Sequence, residues 1–218
     1  TVKGYPHFAN TRTLGLENTC SGKVIPQSYV REATDWAHSI GLSTHLDGAR
    51  VFNASVASGL SLKQLCETFD SVSICFSKGL GAPVGSVLAG SKALIDKAYR
   101  WRKVLGGGMR QGGILAAACL YALDHNVERL AQDHANAERL AAGFKTLPYV
   151  KSVSQATNMV MIDFEPSVCE GLFAAFKAQD ILVLGAYGGP TRMVTHLDVS
   201  EADVDRVVAV AQAYLSKR

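Results

Sequence analysis

The chain has 218 residues, of which 48% are hydrophobic and 19% are charged, and its formal net charge is +3. This composition is typical of a globular protein and argues against disorder, while so small and evenly spread a charge does not indicate nucleic acid or an acidic membrane surface as a partner. No apolar run approaches the roughly 18 residues of a membrane span, so we expect a cytoplasmic protein with one large or two unequal domains.

The first part of the chain alternates between strand-like and helical patterns. A short strand that runs into a loop is predicted in residues 11–19, a helix in 26–41, a strand in 42–49, a helix in 61–69 and a buried strand in 71–77. Pro26 and Gly41 are typical start and stop residues for the first helix. This β-α-β-α-β order predicts an α/β sheet with crossover helices.

The pattern becomes helical from Ser91 onward. Helices are predicted in residues 91–104 and 112–147, and the stretch 114–123 is apolar on nearly all sides. Such a helix is expected to be buried between layers or against a partner subunit.

A second α/β unit is predicted to begin near Tyr149. It consists of a strand in 158–164, a helix in 168–179, strands in 181–187 and 191–197, and a closing helix in 200–218. Ser200 and Asp203 have the spacing of a capping box at the start of that last helix.

The cysteines give no sign of a disulfide framework or a zinc site. Their number is odd, they are widely scattered and they form no Cys-x-x-Cys pair. We expect them to be small buried hydrophobic residues. They are Cys20, Cys66, Cys75, Cys119 and Cys169.

Lys78 is the first candidate for chemistry, because it follows a predicted buried strand and precedes the glycine-rich stretch GLGAPVG. The lysine stands before the glycines rather than after them, so the order is not that of a nucleotide P-loop. Ligands of open α/β sheets bind at the carboxyl ends of the strands, where a partly desolvated amine has a lowered pKa and becomes nucleophilic. Schiff-base chemistry needs such an amine. A lysine that extends from the strand end to solvent fits the residues equally well.

Asp47 favours the catalytic interpretation, since it also lies at the end of a predicted strand, one helix and one strand before Lys78. A carboxylate there would keep a pyridine nitrogen protonated and make the ring an electron sink. The alternative is that Asp47 and Arg50 only cap the next helix or pair with each other.

Two further arginines and two histidines complete the candidates. Arg110 lies among glycines at a predicted helix start, a setting suited to a phosphate, and Arg192 is flanked by apolar residues and suited to a carboxylate. His45 and His196 lie in strand-like runs without an evident acidic partner in the sequence. We expect both to be structural.

Five motifs in this order resemble the low-specificity and L-allo-threonine aldolases, which are pyridoxal-phosphate enzymes of the aspartate aminotransferase fold. The resemblance covers nearly the whole chain. It rests on LENTCSGKV, HLDGAR, CFSKGLGAPVGS, RWRKVLGGGMRQGGILAAA and RMVTHLDVS.

The resemblance implies retro-aldol cleavage of threonine or allo-threonine to glycine and an aldehyde, in a homotetramer with shared active sites. It makes Lys78 the lysine that bonds the cofactor and Asp47 the partner of the pyridine nitrogen. Arg50 and Arg192 correspond to the residues that bind the substrate carboxylate, and Arg50 is also expected to be a cofactor-binding residue. Arg110 belongs to the cofactor region and Lys103 to the active-site rim.

Cys20 departs from the family pattern, in which a histidine commonly follows ENT and lies near the substrate hydroxyl. A thiol has a different pKa and forms weaker hydrogen bonds. Cys20 is therefore a tentative catalytic residue, and a water molecule is the alternative for the proton transfer.

The chain also begins inside the family pattern. Relatives have a preceding segment with the first strands, a glycine-threonine loop for the phosphate and a histidine stacked on the pyridine ring. We therefore expect a retained part of a longer protein, in which residues 1–124 complete the large cofactor-binding domain. Residues 125–218 would form the connecting helix and the small domain. Such a fragment alone is not expected to be a competent enzyme.

Other activities remain compatible with these residues. A β-eliminating lyase or an aminotransferase would use the same cofactor, although Arg50 directly after Asp-Gly-Ala disfavours the aminotransferase. An inactive relative is the other alternative, and retention of both Lys78 and Asp47 argues against it.

Overall fold

Seven strands and eight helices make up the part of the chain that the computed structural model describes, namely residue 7 and residues 9–184 and 189–218. In chain order they are β1 (Thr13–Glu17), α1 (Gln27–Ser39), β2 (Ser43–Gly48), α2 (Val51–Ser58), α3 (Leu62–Cys66), β3 (Ser71–Cys75), β4 (Ser86–Gly90), α4 (Lys92–Val104), α5 (Gly113–His125), α6 (Leu130–Lys145), β5 (Val150–Ala156), β6 (Met159–Phe164), α7 (Pro166–Lys177), β7 (Thr191–Val194) and α8 (Glu201–Leu215). None of the described helices is long and apolar enough to cross a membrane.

The first sheet has the strand order β1-β2-β3-β4. Its first three strands are parallel, with helices between them, and β4 returns antiparallel to β3. Parallel neighbours need such crossover connections, whereas an antiparallel neighbour needs only a loop. The register places Glu17 opposite Asp47 and Asp47 opposite Ser73, so the carboxyl ends of β1, β2 and β3 form one edge.

The second sheet has the order β5-β6-β7 and is antiparallel throughout. Helices α6, α7 and α8 pack with this sheet around a core of large buried side chains, including Phe144, Phe176 and Leu172. Full burial of each such side chain contributes about 1.5–3 kcal/mol of transfer free energy. A separate core lies under the first sheet and includes Leu46, Val72, Phe76 and Leu80.

Helix α6 joins the two cores, because Leu130 at its start belongs to the first and Phe144 near its end belongs to the second. A side-chain contact also links the two parts, since Asn53 Nδ2 lies 3.1 Å from His134 Nε2. The division of the chain into residues 1–124 and 125–218 as two domains stays a prediction.

The predicted α/β class and most predicted elements are confirmed. Pro26 precedes α1, and Gly41, with φ +77°, follows it. The capping box at α8 is present, with Ser200 Oγ accepting from Asp203 N at 3.2 Å and Ser200 N donating to Asp203 Oδ2 at 2.9 Å.

Five features differ from the prediction. Helix α2 and strands β4 and β5 were not predicted. The helical run 112–147 is divided at Asn126–Arg129 into α5 and α6. The strand predicted in 181–187 is wrong for 181–184, which have no regular structure, and its remainder lies outside the described residues.

Burial in the described structure differs from the sequence expectation at α5 and at the cysteines. On α5 only Ala122 is buried, while Ile114 is 77% exposed, because no described element covers this face. The alternative, that a partner covers it, is untested. All five cysteines are free; Cys20 is exposed and the other four are only half-buried, and Cys66, Cys119 and Cys169 lie at the margins of the cores.

Candidate active site

Asp47 lies at the end of β2, in the middle of the edge formed by the parallel strands. The segment after β1 continues along it, because Asn18 N donates to the Asp47 carbonyl oxygen at 2.9 Å. Asp47 Oδ1 accepts from Ala49 N at 3.1 Å. The N-cap of α2 is Arg50, which has no side-chain capping bond. Within the described ranges Asp47 forms no ion pair, so pairing with Arg50 does not account for its position.

Lys78 lies three residues beyond β3, in a tight turn closed by a hydrogen bond from Gly81 N to the Lys78 carbonyl oxygen at 2.9 Å. Gly81 has φ +73°, a conformation that favours glycine. Gly79 is buried against α6, where an added Cβ would lie 2.8 Å from Leu130 Cδ2. The backbone of the turn is thus held by close packing.

The side chain of Lys78 is exposed. The partial desolvation expected from the sequence is therefore not provided by the described residues, because the turn carries Lys78 past the strand end into an open pocket. This pocket has a volume of about 510 Å³. It is lined by the turn itself, by Arg50, by Asn158 and by the segment Val194–Asp198.

Arg50 is half-buried in the wall of this pocket, and its Nε is buried without a hydrogen-bond partner in the described structure. Burial and, secondly, the positive charge of Arg192 lower the pKa of Arg50, while Cys75 and Glu17 act in the opposite direction. Arg192 is exposed on β7 and lines an adjoining pocket of about 430 Å³ that also contacts His196. Two neighbouring guanidinium groups favour an anion, and a carboxylate matches their planar geometry.

The two histidines differ from each other. His45 Nδ1 lies 2.8 Å from Ser71 Oγ and is held between strands, which agrees with a structural role. His196 lines the Lys78 pocket, and its Nδ1 accepts from Asp198 N at 3.3 Å and lies 3.7 Å from Asp198 Oδ2. The expectation that His196 lacks an acidic partner is wrong, because the chain turns back at Asp198.

Asp47 and the remaining predicted site residues do not line the Lys78 pocket. Cys20 is exposed in a turn that two backbone hydrogen bonds with Lys23 hold at 2.9 Å. Lys103 lies in the last turn of α4, and Arg110 precedes Gly112, the N-cap of α5. The predicted roles of these three side chains stay predictions.

Asn158 is a pocket residue that the sequence analysis did not single out. It is 1% exposed, and its Oδ1 is buried without a partner among the described residues. The only local signal is the pair Thr157-Asn158 before a strand, which is typical of a turn. Nothing in the sequence indicates that this turn faces Lys78.

Comparisons with known proteins show which proteins the chain resembles. A model of the β-eliminating lyase family matches residues 1–167. The chain is 45% identical over 211 residues to the low-specificity L-threonine aldolase of Escherichia coli K12, covering 97% of this chain and 62% of that protein. It is 38% identical over 218 residues to low-specificity L-threonine aldolase 1 of Arabidopsis thaliana, covering 96% of this chain and 61% of that protein.

Solved structures show the fold. The threonine aldolase of Leishmania major superposes with a TM-score of 0.78 at 19% identity, covering 97% of this chain and 63% of that one. The ornithine δ-aminotransferase of Plasmodium falciparum gives 0.64 at 12% identity, covering 94% and 56%. The predicted aspartate aminotransferase type of fold is confirmed.

Proposed function

The chain belongs to the β-eliminating lyase family, and we propose that the protein cleaves threonine, allo-threonine or a related β-hydroxy-α-amino acid to glycine and an aldehyde. Because the chain spans 62% of the length of its Escherichia coli relative, this is a proposal about the whole protein. The observation that carries it is the pocket that Lys78 and Arg50 both line, with Arg192 close enough to lower the pKa of Arg50.

The described residues suit pyridoxal 5'-phosphate as the cofactor. Lys78 offers a primary amine without a partner among them, which suits an aldehyde carbon. Asp47 Oδ2 has no described partner, and a carboxylate oxygen suits a protonated ring nitrogen. When bound, the cofactor would withdraw electrons from the substrate's α-carbon. Arg110, at the glycine-rich start of α5, is the proposed phosphate ligand.

Arg50 and Arg192 are the proposed carboxylate-binding pair. Each guanidinium can donate two parallel hydrogen bonds to a carboxylate, and a bound anion would relieve the repulsion between the two cations. Holding the carboxylate on one side orients the bond between the α- and β-carbons for cleavage. Lys103 is proposed to lie at the rim of the same site.

The reaction requires removal of the β-hydroxyl proton and delivery of a proton to the α-carbon of the glycine that forms. We assign the hydroxyl to the side of Cys20, because Asn18, two residues earlier, is bonded to Asp47 at the sheet edge. Cys20 as the base, or a water beside it, would accept the proton. The electron pair of the former O–H bond forms the new C=O bond of the aldehyde, and the pair of the broken Cα–Cβ bond stays with the α-carbon, which takes up the second proton.

A β-eliminating lyase is the second candidate, and the family match favours it specifically. The two reactions give different products from threonine. Aldol cleavage yields glycine and acetaldehyde, whereas elimination of the hydroxyl yields ammonia and 2-oxobutanoate. The two carboxylate-binding arginines serve both reactions, so only product analysis separates them.

The exposed apolar residues of α4, α5 and the segment between them support a homo-oligomer, proposed here as a tetramer with shared active sites. Tyr99, Leu105 and Ile114 are 69%, 81% and 77% exposed. Large apolar patches on a protein surface mark interaction sites, and these side chains come from consecutive segments of the chain. Light scattering of the full-length protein would give the subunit number, and a monomer at micromolar concentration would contradict this proposal.

The activity is tested by incubating the full-length protein and cofactor with threonine and with allo-threonine. We expect glycine and acetaldehyde in equal amounts, and no product from the Lys78→Ala variant. Lys151→Ala, which removes an exposed lysine on β5, is the matched control and should retain full activity. Formation of ammonia and 2-oxobutanoate instead would favour the β-eliminating lyase.

A further inference from the structure

Two buried polar atoms of opposite hydrogen-bonding type belong to residues in the wall of the Lys78 pocket. Arg50 Nε is a donor without a partner, and Asn158 Oδ1 is an acceptor without a partner, in the described structure. We propose that Asn158 is a positioning residue for Arg50: its Oδ1 accepts the Nε–H of Arg50 when a substrate carboxylate is bound. This inference rests on the proposed function.

Asn158 is held firmly enough to act in this way. Its Nδ2 donates to the Thr195 carbonyl oxygen at 2.9 Å, and its own carbonyl oxygen accepts from Thr195 N at 3.0 Å. Thr195 is in turn tied to α6, because its Oγ1 donates to the Asp133 carbonyl oxygen at 2.6 Å. The bond from Nδ2 fixes the amide orientation, so Oδ1 is the end of the amide that remains available.

Arg50 needs an orienting partner because a guanidinium can bind a carboxylate through its two terminal nitrogens or through Nε and one terminal nitrogen. When Nε–H is occupied, the two terminal nitrogens are left as the fork for the substrate. Arg50 has no side-chain capping bond in α2 and no ion pair within the described ranges. Asn158 comes from the turn between β5 and β6, so the contact would also join the two parts of the protein around the ligand.

An amide is the suitable partner chemically. Its oxygen is neutral and satisfies Nε–H without cancelling the positive charge that attracts the carboxylate. An aspartate at this position would form an ion pair with Arg50 and compete with the substrate. A buried donor and a buried acceptor that stay unpaired are also unfavourable, which gives the contact its driving force.

The alternative is that Asn158 Oδ1 accepts directly from the substrate's amine or hydroxyl group. The two roles predict different couplings. If Asn158 acts through Arg50, its loss has no effect once Arg50 is replaced. If Asn158 contacts the substrate, the fold losses of affinity caused by replacing Asn158 and by replacing Arg50 multiply in the double variant.

The test measures glycine binding by titration calorimetry to the full-length, cofactor-loaded protein. We expect Asn158→Ala to weaken glycine binding about 10-fold, as the loss of one hydrogen bond to a charged group does, and Asn158→Asp to weaken it at least as much. Ethanolamine, which has the amine but no carboxylate, should bind all three proteins equally. In the Arg50→Lys background, which lacks the Nε–H that Asn158 Oδ1 would accept, Asn158→Ala should cause no further loss.

Equal losses in both backgrounds, or unchanged glycine binding by Asn158→Ala, would overturn the inference. Because Asn158→Ala also removes the bond to Thr195, its urea unfolding is measured first. If Asn158→Ala does not fold, Asn158→Gln is used in the same cycle. Glutamine keeps the amide oxygen and the amide nitrogen but moves both by one methylene. Threonine cleavage is assayed separately: a protein that binds glycine with the expected coupling but does not cleave threonine refutes the proposed function and leaves the positioning role intact.

Discussion

Replacing Gly79 by alanine tests whether the packing under the Lys78 turn holds the lysine in place. The added Cβ would lie 2.8 Å from Leu130 Cδ2 and 3.3 Å from Asn53 Oδ1. Leu130 and Asn53 are 0% and 2% exposed, so neither can move outward into solvent. Inserting one methyl group into such a site costs about 1–3 kcal/mol, and part of that strain would shift the neighbouring backbone of Lys78.

Gly41→Ala is the matched control. Gly41 has φ +77° and no atom within 4 Å of an added Cβ, so alanine there costs about 1–2 kcal/mol of backbone strain without crowding any neighbour. The two variants should therefore lose comparable stability in urea unfolding, at pH 7.5 and fixed cofactor concentration. Only Gly79→Ala should also lose affinity for pyridoxal phosphate, by about 10-fold in an absorbance titration.

The reasoning about the turn would be refuted by a Gly79→Ala variant with wild-type stability and cofactor affinity. Such a result would mean that Leu130 and Asn53 relax freely and that the close approach of the turn to α6 does not position Lys78. If Gly79→Ala loses stability but keeps its cofactor affinity, the close packing under the turn is real but does not position Lys78. That result would refute only the claim that the strain displaces Lys78.

Two other substitutions test single features of the molecule. Burial lowers the pKa of His134, with Asp133 acting in the opposite direction, so folding favours the neutral ring. The neutral ring's contribution to the free energy of unfolding is complete above about pH 6.5, and it is lost as the pH falls through the folded-state pKa. His134→Gln, which keeps an acceptor for Asn53 Nδ2, should therefore show a smaller loss of unfolding free energy between pH 7.5 and 5 than the wild type, and an unchanged pH dependence would contradict the assignment. Cys20→His should change the ratio of the cleavage rates of threonine and allo-threonine. If each diastereomer is cleaved at the same rate by the wild type and by the variant, this position does not handle the hydroxyl group.

Local signals were sufficient to predict the elements that carry their own start and stop residues. Pro26, Gly41 and the Ser200 capping box mark α1 and α8 because the chemistry of a helix end is local. Strand β4 was missed because it has only five residues and lies between Gly85 and its own last residue, Gly90, which leaves too short an apolar pattern to recognise. The break between α5 and α6 was missed because Asn126–Arg129 continues the helical spacing of apolar residues, while the chain turns there to pack Leu130 in the first core.

The sequence could predict the residues of the candidate site that lie at the ends of strands. It could not predict those that the folding of the second sheet brings to the pocket. Asp47 and Lys78 were identified because the carboxyl ends of parallel strands converge. Asn158 and His196 enter the Lys78 pocket only through the packing of the second sheet against α6, which no spacing in the sequence encodes. The exposure of Lys78 was missed for a related reason, since burial depends on which elements cover a strand end.

The most direct test of the account is to reduce the full-length protein with borohydride after loading it with pyridoxal phosphate, and to map the modified peptide by mass spectrometry. The account predicts one pyridoxyl group per chain on Lys78, with Lys103 and Lys151 unmodified. Absence of the adduct from Lys78, or its presence on another lysine with threonine cleavage intact, would contradict the assignment of Lys78 as the residue that holds the cofactor.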